Sequence, residues 1–244
     1  MEVLAVISRL LDYPGEDLQK LEADIIHIIS SAHIDADLKD KLLKFLCQRM
    51  DQDLLDWQAQ YDAMFERGRS LGLWLFEHVH GESRDRGQAM VDLTEKYREA
   101  GLELSQHQLP DYIPLFLEFL STQGEDNARQ WLLEVEHILA LLQCRLEKRD
   151  SDYAVLFQAL LRIAGSELDL SETRYQVSGE KPDNTVKAID KEWQEEEITF
   201  GAQSASDSCG LNRKPSESQR RDQEVPVNWV GFDMAPAISE GVSQ

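Results

Sequence analysis

The sequence predicts an all-α protein: a single-domain helical bundle over residues 1–168, followed by an acidic, largely disordered C-terminal tail over 169–244. Three observations predict it. Apolar residues recur at three- and four-residue spacing from the start to about Leu168. Convincing apolar/polar alternation, the mark of a half-buried strand, is absent from the same stretch. After Leu168, Ser, Asp, Glu, Gln, Lys and Pro dominate and the large apolar residues thin out. Such a composition offers too little burial to offset the entropy of ordering the chain.

The elements follow in order. A first helix over about residues 3–11 stops before Tyr13, Pro14 and Gly15, and a second spans roughly 16–30. Asp35 is placed as N-cap of a third, which carries Leu38, Leu42, Leu43, Phe45 and Leu46 on its way to Met50. A fourth holds Leu54, Leu55, Trp57, Tyr61, Met64 and Phe65. Ser70 is placed to cap a short, nearly all-apolar helix over 71–79 that ends at Gly81, and Ser83 to cap the next, with Met90, Val91, Leu93 and Tyr97, ending at Gly101. In LPDYIPLFLEF, residues 109–119, Pro110 restricts Leu109 to an extended shape. Asp111 then caps a helix, its carboxylate accepting from the amide of Ile113. Pro114 falls in the first turn, where its missing N–H is unneeded. Residues 125–148 read as the longest helix and 152–168 close the series. In the tail, Val177, Val186, Ile189, Trp193, Ile198 and Phe200 are too sparse for a core, although a helical island fits at 184–197.

Charge bounds the partners. The chain carries 46 Asp and Glu against 25 Lys and Arg, a formal charge of -21. That argues against nucleic acid and against an anionic membrane surface, both of which call for clustered bases. It favours basic segments as partners. Cys47, Cys144 and Cys209 are scattered, with no CxxC pair to form a zinc ribbon or a dithiol. Lone thiols, a start without a basic n-region and the lack of a span-length apolar run set the expected address as the cytoplasm, without membrane insertion.

No reaction centre emerges. A phosphate-binding glycine loop, a GxSxG elbow and HExxH are all missing. Glu77/His80 and Glu134/His137 match the Glu-x-x-His ligand pattern of di-iron carboxylate bundles. At about 100° per residue, Trp131, Leu132, Val135, Ile138, Leu139, Leu142 and Leu146 share one stripe. Glu134 falls on the edge of that stripe and His137 nearly opposite its centre. The two pairs are thus poorly placed to share one site, and neither a metal nor a cofactor is expected. His137 lies instead with Leu133, Leu141 and Cys144 on a second apolar stripe, and is expected to be buried and hydrogen-bonded.

Two greasy helices remain. Ile113, Leu115, Phe116, Leu117, Phe119 and Leu120 cover every side of one, and Leu73, Trp74, Leu75, Phe76 and Val79 do the same in the other. Either the bundle closes over them or part of their surface is a groove for a partner. Glu118, the lone carboxylate, is solvated, paired internally, or set at a groove edge to meet an Arg or Lys of a bound peptide. The candidate peptide-binding residues are Phe65, Leu73, Leu75, His78, Asp111, Tyr112, Pro114 and Glu118.

The run YDAMFERGRSLGLWLFEHVHGESRDRGQAM, followed by LPDYIPLFLEFLS, resembles the nitrate reductase molybdenum cofactor assembly chaperones, also called the delta subunit of that enzyme. The broader group is the redox-enzyme maturation chaperones. The resemblance covers residues 1–168. It implies an all-helical chaperone, not an enzyme and not part of the finished reductase. Such a chaperone binds the catalytic alpha subunit of nitrate reductase, including its N-terminal segment, before membrane assembly. It keeps that subunit competent for insertion of molybdenum cofactor and an iron–sulfur cluster, with molybdenum cofactor biosynthesis proteins as further partners. A chaperone for another molybdoenzyme, or a helical peptide-binding adaptor, stays open as an alternative.

Overall fold

The computed structural model describes residues 1–79, 84–105 and 108–195, which belong to one unit. Thirteen α-helices are present among the described residues. They are α1 (Glu2–Leu11), α2 (Glu16–Lys20), α3 (Glu22–Ser31), α4 (Ala36–Met50), α5 (Leu54–Tyr61), α6 (Leu75–Val79) and α7 (Arg84–Glu99). Then come α8 (Ile113–Thr122), α9 (Glu125–Glu134), α10 (Glu136–Lys148), α11 (Ala154–Ala164), α12 (Leu170–Ser178) and α13 (Val186–Glu195). After Tyr61 the chain continues in a π turn, Asp62–Glu66.

The packing is that of a bundle. α1 lies against α3 and α8; α11 meets α4, α9 and α10. Leu4, Leu42, Leu46, Leu117, Leu120, Leu142 and Leu160 are fully buried along these contacts. At one end an aromatic group closes the core: the rings of Phe45 and Phe65 stand edge-on to Tyr153 at 5.1 and 5.0 Å. The indole N–H of buried Trp57 donates to the Tyr153 hydroxyl at 2.7 Å, so its polar atom is satisfied. Arg49, also buried, stacks over Tyr153 at 4.8 Å and pairs with Asp152.

Local geometry departs from expectation at several places; the helix placed over 16–30, for one, is broken at Leu21 into α2 and α3. The long helix over 125–148 is two helices, α9 and α10, separated at Val135 (φ -105, ψ 8); both pack on α11, and α9 also meets α8 while α10 also meets α12 and α6. Neither Glu134 nor His137 points into the bundle; both are exposed, so the expected buried histidine is not there. Asp35 opens α4 without a side-chain cap, its carboxylate drawn instead to Arg162 at 2.7 Å. The Ser70-capped helix starts four residues late, at Leu75, since the Ser70 amide and hydroxyl donate to Asp183 at 2.7 and 2.9 Å. Finally, the tail does not begin at Leu168. α12, capped by Asp169, packs along α10 and buries Val177. Val177 and the partly buried Leu170 suffice on a charged helix because its other anchors are ion pairs and hydrogen bonds to α10, which composition cannot show. His80, and everything from residue 196 onward, lies outside the described residues.

Candidate peptide-binding site

The expected eight-residue groove resolves into two separate places. Seven of its residues gather where the 73–75 stretch runs antiparallel to 111–113. The Ile113 amide donates to the Leu73 carbonyl at 2.8 Å, and the Leu75 amide to the Asp111 carbonyl at 2.9 Å. Trp74 and Tyr112 face each other across this seam, rings 4.9 Å apart. Phe65, Leu73, Leu75, Asp111 and Pro114 are buried there, and the Pro114 carbonyl accepts from Ser8 of α1 at 2.6 Å. They are core, with no surface to offer. Tyr112 is half-buried; its hydroxyl donates to Asp12 at 3.0 Å and lies 3.3 Å from that of Tyr61. His78 is half-buried too, its Nε2 2.8 Å from the Gly72 carbonyl.

Asp111 does not cap α8. The seam has taken the Ile113 amide, so the carboxylate turns the other way and accepts from the amide of Phe76 in α6 at 3.3 Å. It lies 3.6 Å from Arg86 of α7, which also approaches Glu77 at 3.7 Å. Burial pushes the Asp111 carboxyl above the usual range, against the pull of the Phe76 amide and Arg86. This carboxylate joins three segments that are distant in sequence, which is a structural duty.

Glu118 is elsewhere. It stands exposed on α8, at the edge of a groove between α1, α3 and α8 with a volume of about 560 Å³. Ala5, Val6, Leu21, Ile25, Ile28 and Leu102 supply the apolar lining. Glu2, Asp24 and Glu118 supply three carboxylates against one guanidinium, that of Arg9. Leu21 is 41% exposed, an apolar side chain held open to solvent at the groove wall. An apolar floor with an acidic rim suits an amphipathic segment carrying basic residues.

Of the eight predicted residues, therefore, only Glu118 lines this groove, and sequence reasoning missed its companions. Their signal was present but weak: α1 and α3 read as ordinary amphipathic helices. Nothing in their spacing said that the gap between them stays open. Among the described residues no cluster of three or more His, Cys, Asp or Glu could hold a metal, and no helix is long and apolar enough to cross a membrane.

A family model described as "Nitrate reductase delta subunit" matches residues 31–159. The chain is 43% identical to the probable nitrate reductase molybdenum cofactor assembly chaperone NarW of Escherichia coli (strain K12), covering 94% of this chain and 96% of that one. It is 42% identical to the nitrate reductase molybdenum cofactor assembly chaperone NarJ of the same organism, with the same coverage. A probable NarJ of Bacillus subtilis (strain 168) is 29% identical over 64% of this chain and 85% of its own.

Proposed function

The chain belongs to the nitrate reductase delta subunit family, and from that premise we propose that it is a molybdenum cofactor assembly chaperone for nitrate reductase. It binds the catalytic alpha subunit before membrane assembly, including that subunit's N-terminal segment. It keeps the subunit competent for insertion of molybdenum cofactor and the iron–sulfur cluster, and delays docking to the membrane partner. It works in the cytoplasm, alongside molybdenum cofactor biosynthesis proteins, and is not part of the finished enzyme. The relatives are named as assembly chaperones rather than catalysts, and the present reading is the same.

One observation carries it: identity above 40% runs through 94% of the chain, so the likeness covers the whole helical unit rather than one motif. The α1/α3/α8 groove adds a place for the N-terminal segment. Its apolar floor would take the hydrophobic face of an amphipathic peptide, and Glu2, Asp24 and Glu118 its basic side chains.

Expression in a bacterium stripped of its own nitrate reductase chaperones tests the function. Membrane-bound nitrate reductase activity and molybdenum in the catalytic subunit should return. A pull-down from that lysate should recover the catalytic subunit free of its membrane partner. Recovery of a different molybdoenzyme, with nitrate reductase unaffected, would overturn the assignment.

A further inference from the structure

We propose that residues 169–183 form a displaceable strap: a charge-held segment that covers the turn at 68–70 and one face of α10, and that opens while the bundle stays folded. The inference is independent of where the peptide binds.

The seat of the strap is cationic. Arg145, Lys148 and Arg149 fall three and four residues apart and so share one face of α10. Every one of them is occupied by the strap. Arg145 donates from Nε and Nη2 to the Glu180 carboxylate at 2.9 and 2.6 Å. Lys148 Nζ donates to the carbonyls of Val177 and Glu180, both at 2.7 Å, and of Ser178 at 3.2 Å. Arg149 Nη2 donates to Asp183 at 2.6 Å.

The same contacts pin the turn before α6. Arg145 Nη1 donates to the Ser70 carbonyl at 2.8 Å, and Arg149 to the Ser70 hydroxyl at 2.8 Å. The Ser70 amide donates to Asp183 at 2.7 Å. Here the strap meets bare backbone: Gly68 has φ +90, and a Cβ on it would lie 2.6 Å from Asp183 Oδ2. Asp183 of the strap and the guanidinium groups of Arg145 and Arg149 thus hold the same serine together.

The apolar hold is slight by comparison. Val177 of α12 is buried and Leu170 is partly buried against the edge of the core, while Tyr175 is 81% exposed. Val177 and Cys144 of α10 are both buried, yet both stand outside the continuous core. A nine-residue helix has no stability of its own. What holds it is a set of partly exposed ion pairs, individually weak and screened by salt. A segment so attached opens locally at far lower cost than the bundle unfolds. Opening bares three cations and the seat of Val177, and takes Asp183 away from the Ser70 amide and hydroxyl, while the seam keeps its own hydrogen bonds at Leu73 and Leu75.

Cys144 is a built-in reporter, because it is buried on the helix that α12 covers and feels the charge of Arg174 on α12. The experiment uses the full chain with Cys47→Ser and Cys209→Ser, so that maleimide reads Cys144 alone. Amide exchange at Ser70, read by mass spectrometry on peptides over residues 68–72, is the second readout, and helical circular dichroism monitors the bundle. Labelling and exchange should both rise with salt. Glu180→Gln combined with Asp183→Asn should raise both about ten-fold at low salt and flatten the salt response. The thermal melt should hardly move. Labelling and exchange that ignore both salt and the double substitution would overturn the proposal. So would a rise in either that appears only as the helical signal is lost.

Discussion

Glu118 and Phe116 sit two positions apart on α8 and meet opposite surroundings. Phe116 is buried, its ring 6.1 Å from that of Trp131; Glu118 is exposed at the groove rim. Phe116→Ala should therefore cost the fold about 3–5 kcal/mol in a denaturant titration. Glu118→Gln should leave the melt in place but weaken a peptide copying the catalytic subunit's N-terminus by about 1 kcal/mol, a several-fold change in calorimetric affinity. Wild-type affinity in that variant would remove Glu118 from the site. Asp111→Ala separates the two places that the sequence merged. It leaves the Phe76 amide and Arg86 without their carboxylate, so the fold should lose about 1–3 kcal/mol. Peptide affinity measured well below the new melting temperature should stay as it was, because the seam is not the groove. A specific loss of binding there would move the peptide site to the seam.

At the scale of elements, the helices were legible because burial is periodic. The third helix was placed to its last residue at Met50, and the apolar face of 113–120 is buried as its composition demands. The breaks were not legible. Val135 interrupts a pattern that is continuous in sequence: the apolar stripe runs through it, and only the backbone geometry there (φ -105, ψ 8) marks the break. The parting of the candidate residues between two places was hidden for a related reason. Leu73, Leu75 and Pro114 carry the same apolar signal whether they wall a groove or fill a core, and only tertiary packing chooses. α12 was unreadable because only Val177, the partly buried Leu170 and several long-range ion pairs hold it. A chain ending at residue 185 should melt like the full chain. One ending at Leu168 strips Val177 and the acceptors of Arg145, Lys148 and Arg149 from α10. It should stay cooperative in circular dichroism but lose about 1–2 kcal/mol. Equal stability of the two chains would show that α12 contributes nothing.

Over the whole molecule, charge works in two opposed ways. A net -21 means that carboxylates mostly repel one another, so acidification relieves the fold as a whole. The strap is the exception, because its carboxylates are held by attraction to α10. Burial would raise the Asp183 carboxyl, but the Ser70 amide and hydroxyl and then Arg149 outweigh it, and the group is held below its ordinary 3.8. A depressed carboxyl adds stability above that value and loses it as pH falls through the folded one. His78, at the same joint, is held below its ordinary 6.5 by burial, with Arg145 acting in the same direction. The unfolded chain therefore takes its proton first, and stability is lost as pH falls from 6.5. Asp111 has the opposite sign. Burial raises its carboxyl above 3.8, so the folded state takes the proton first and the seam is relieved by acid. The strap should thus loosen while the seam and the bundle hold. Pepsin at about pH 3 should cut between Gly165 and Asp183 before it cuts within α1–α11, leaving the residues before it as one protected fragment, read by mass spectrometry. Cleavage throughout α1–α11 at the same rate would mean that acid unfolds the molecule as one piece and that the strap has no separate electrostatic hold.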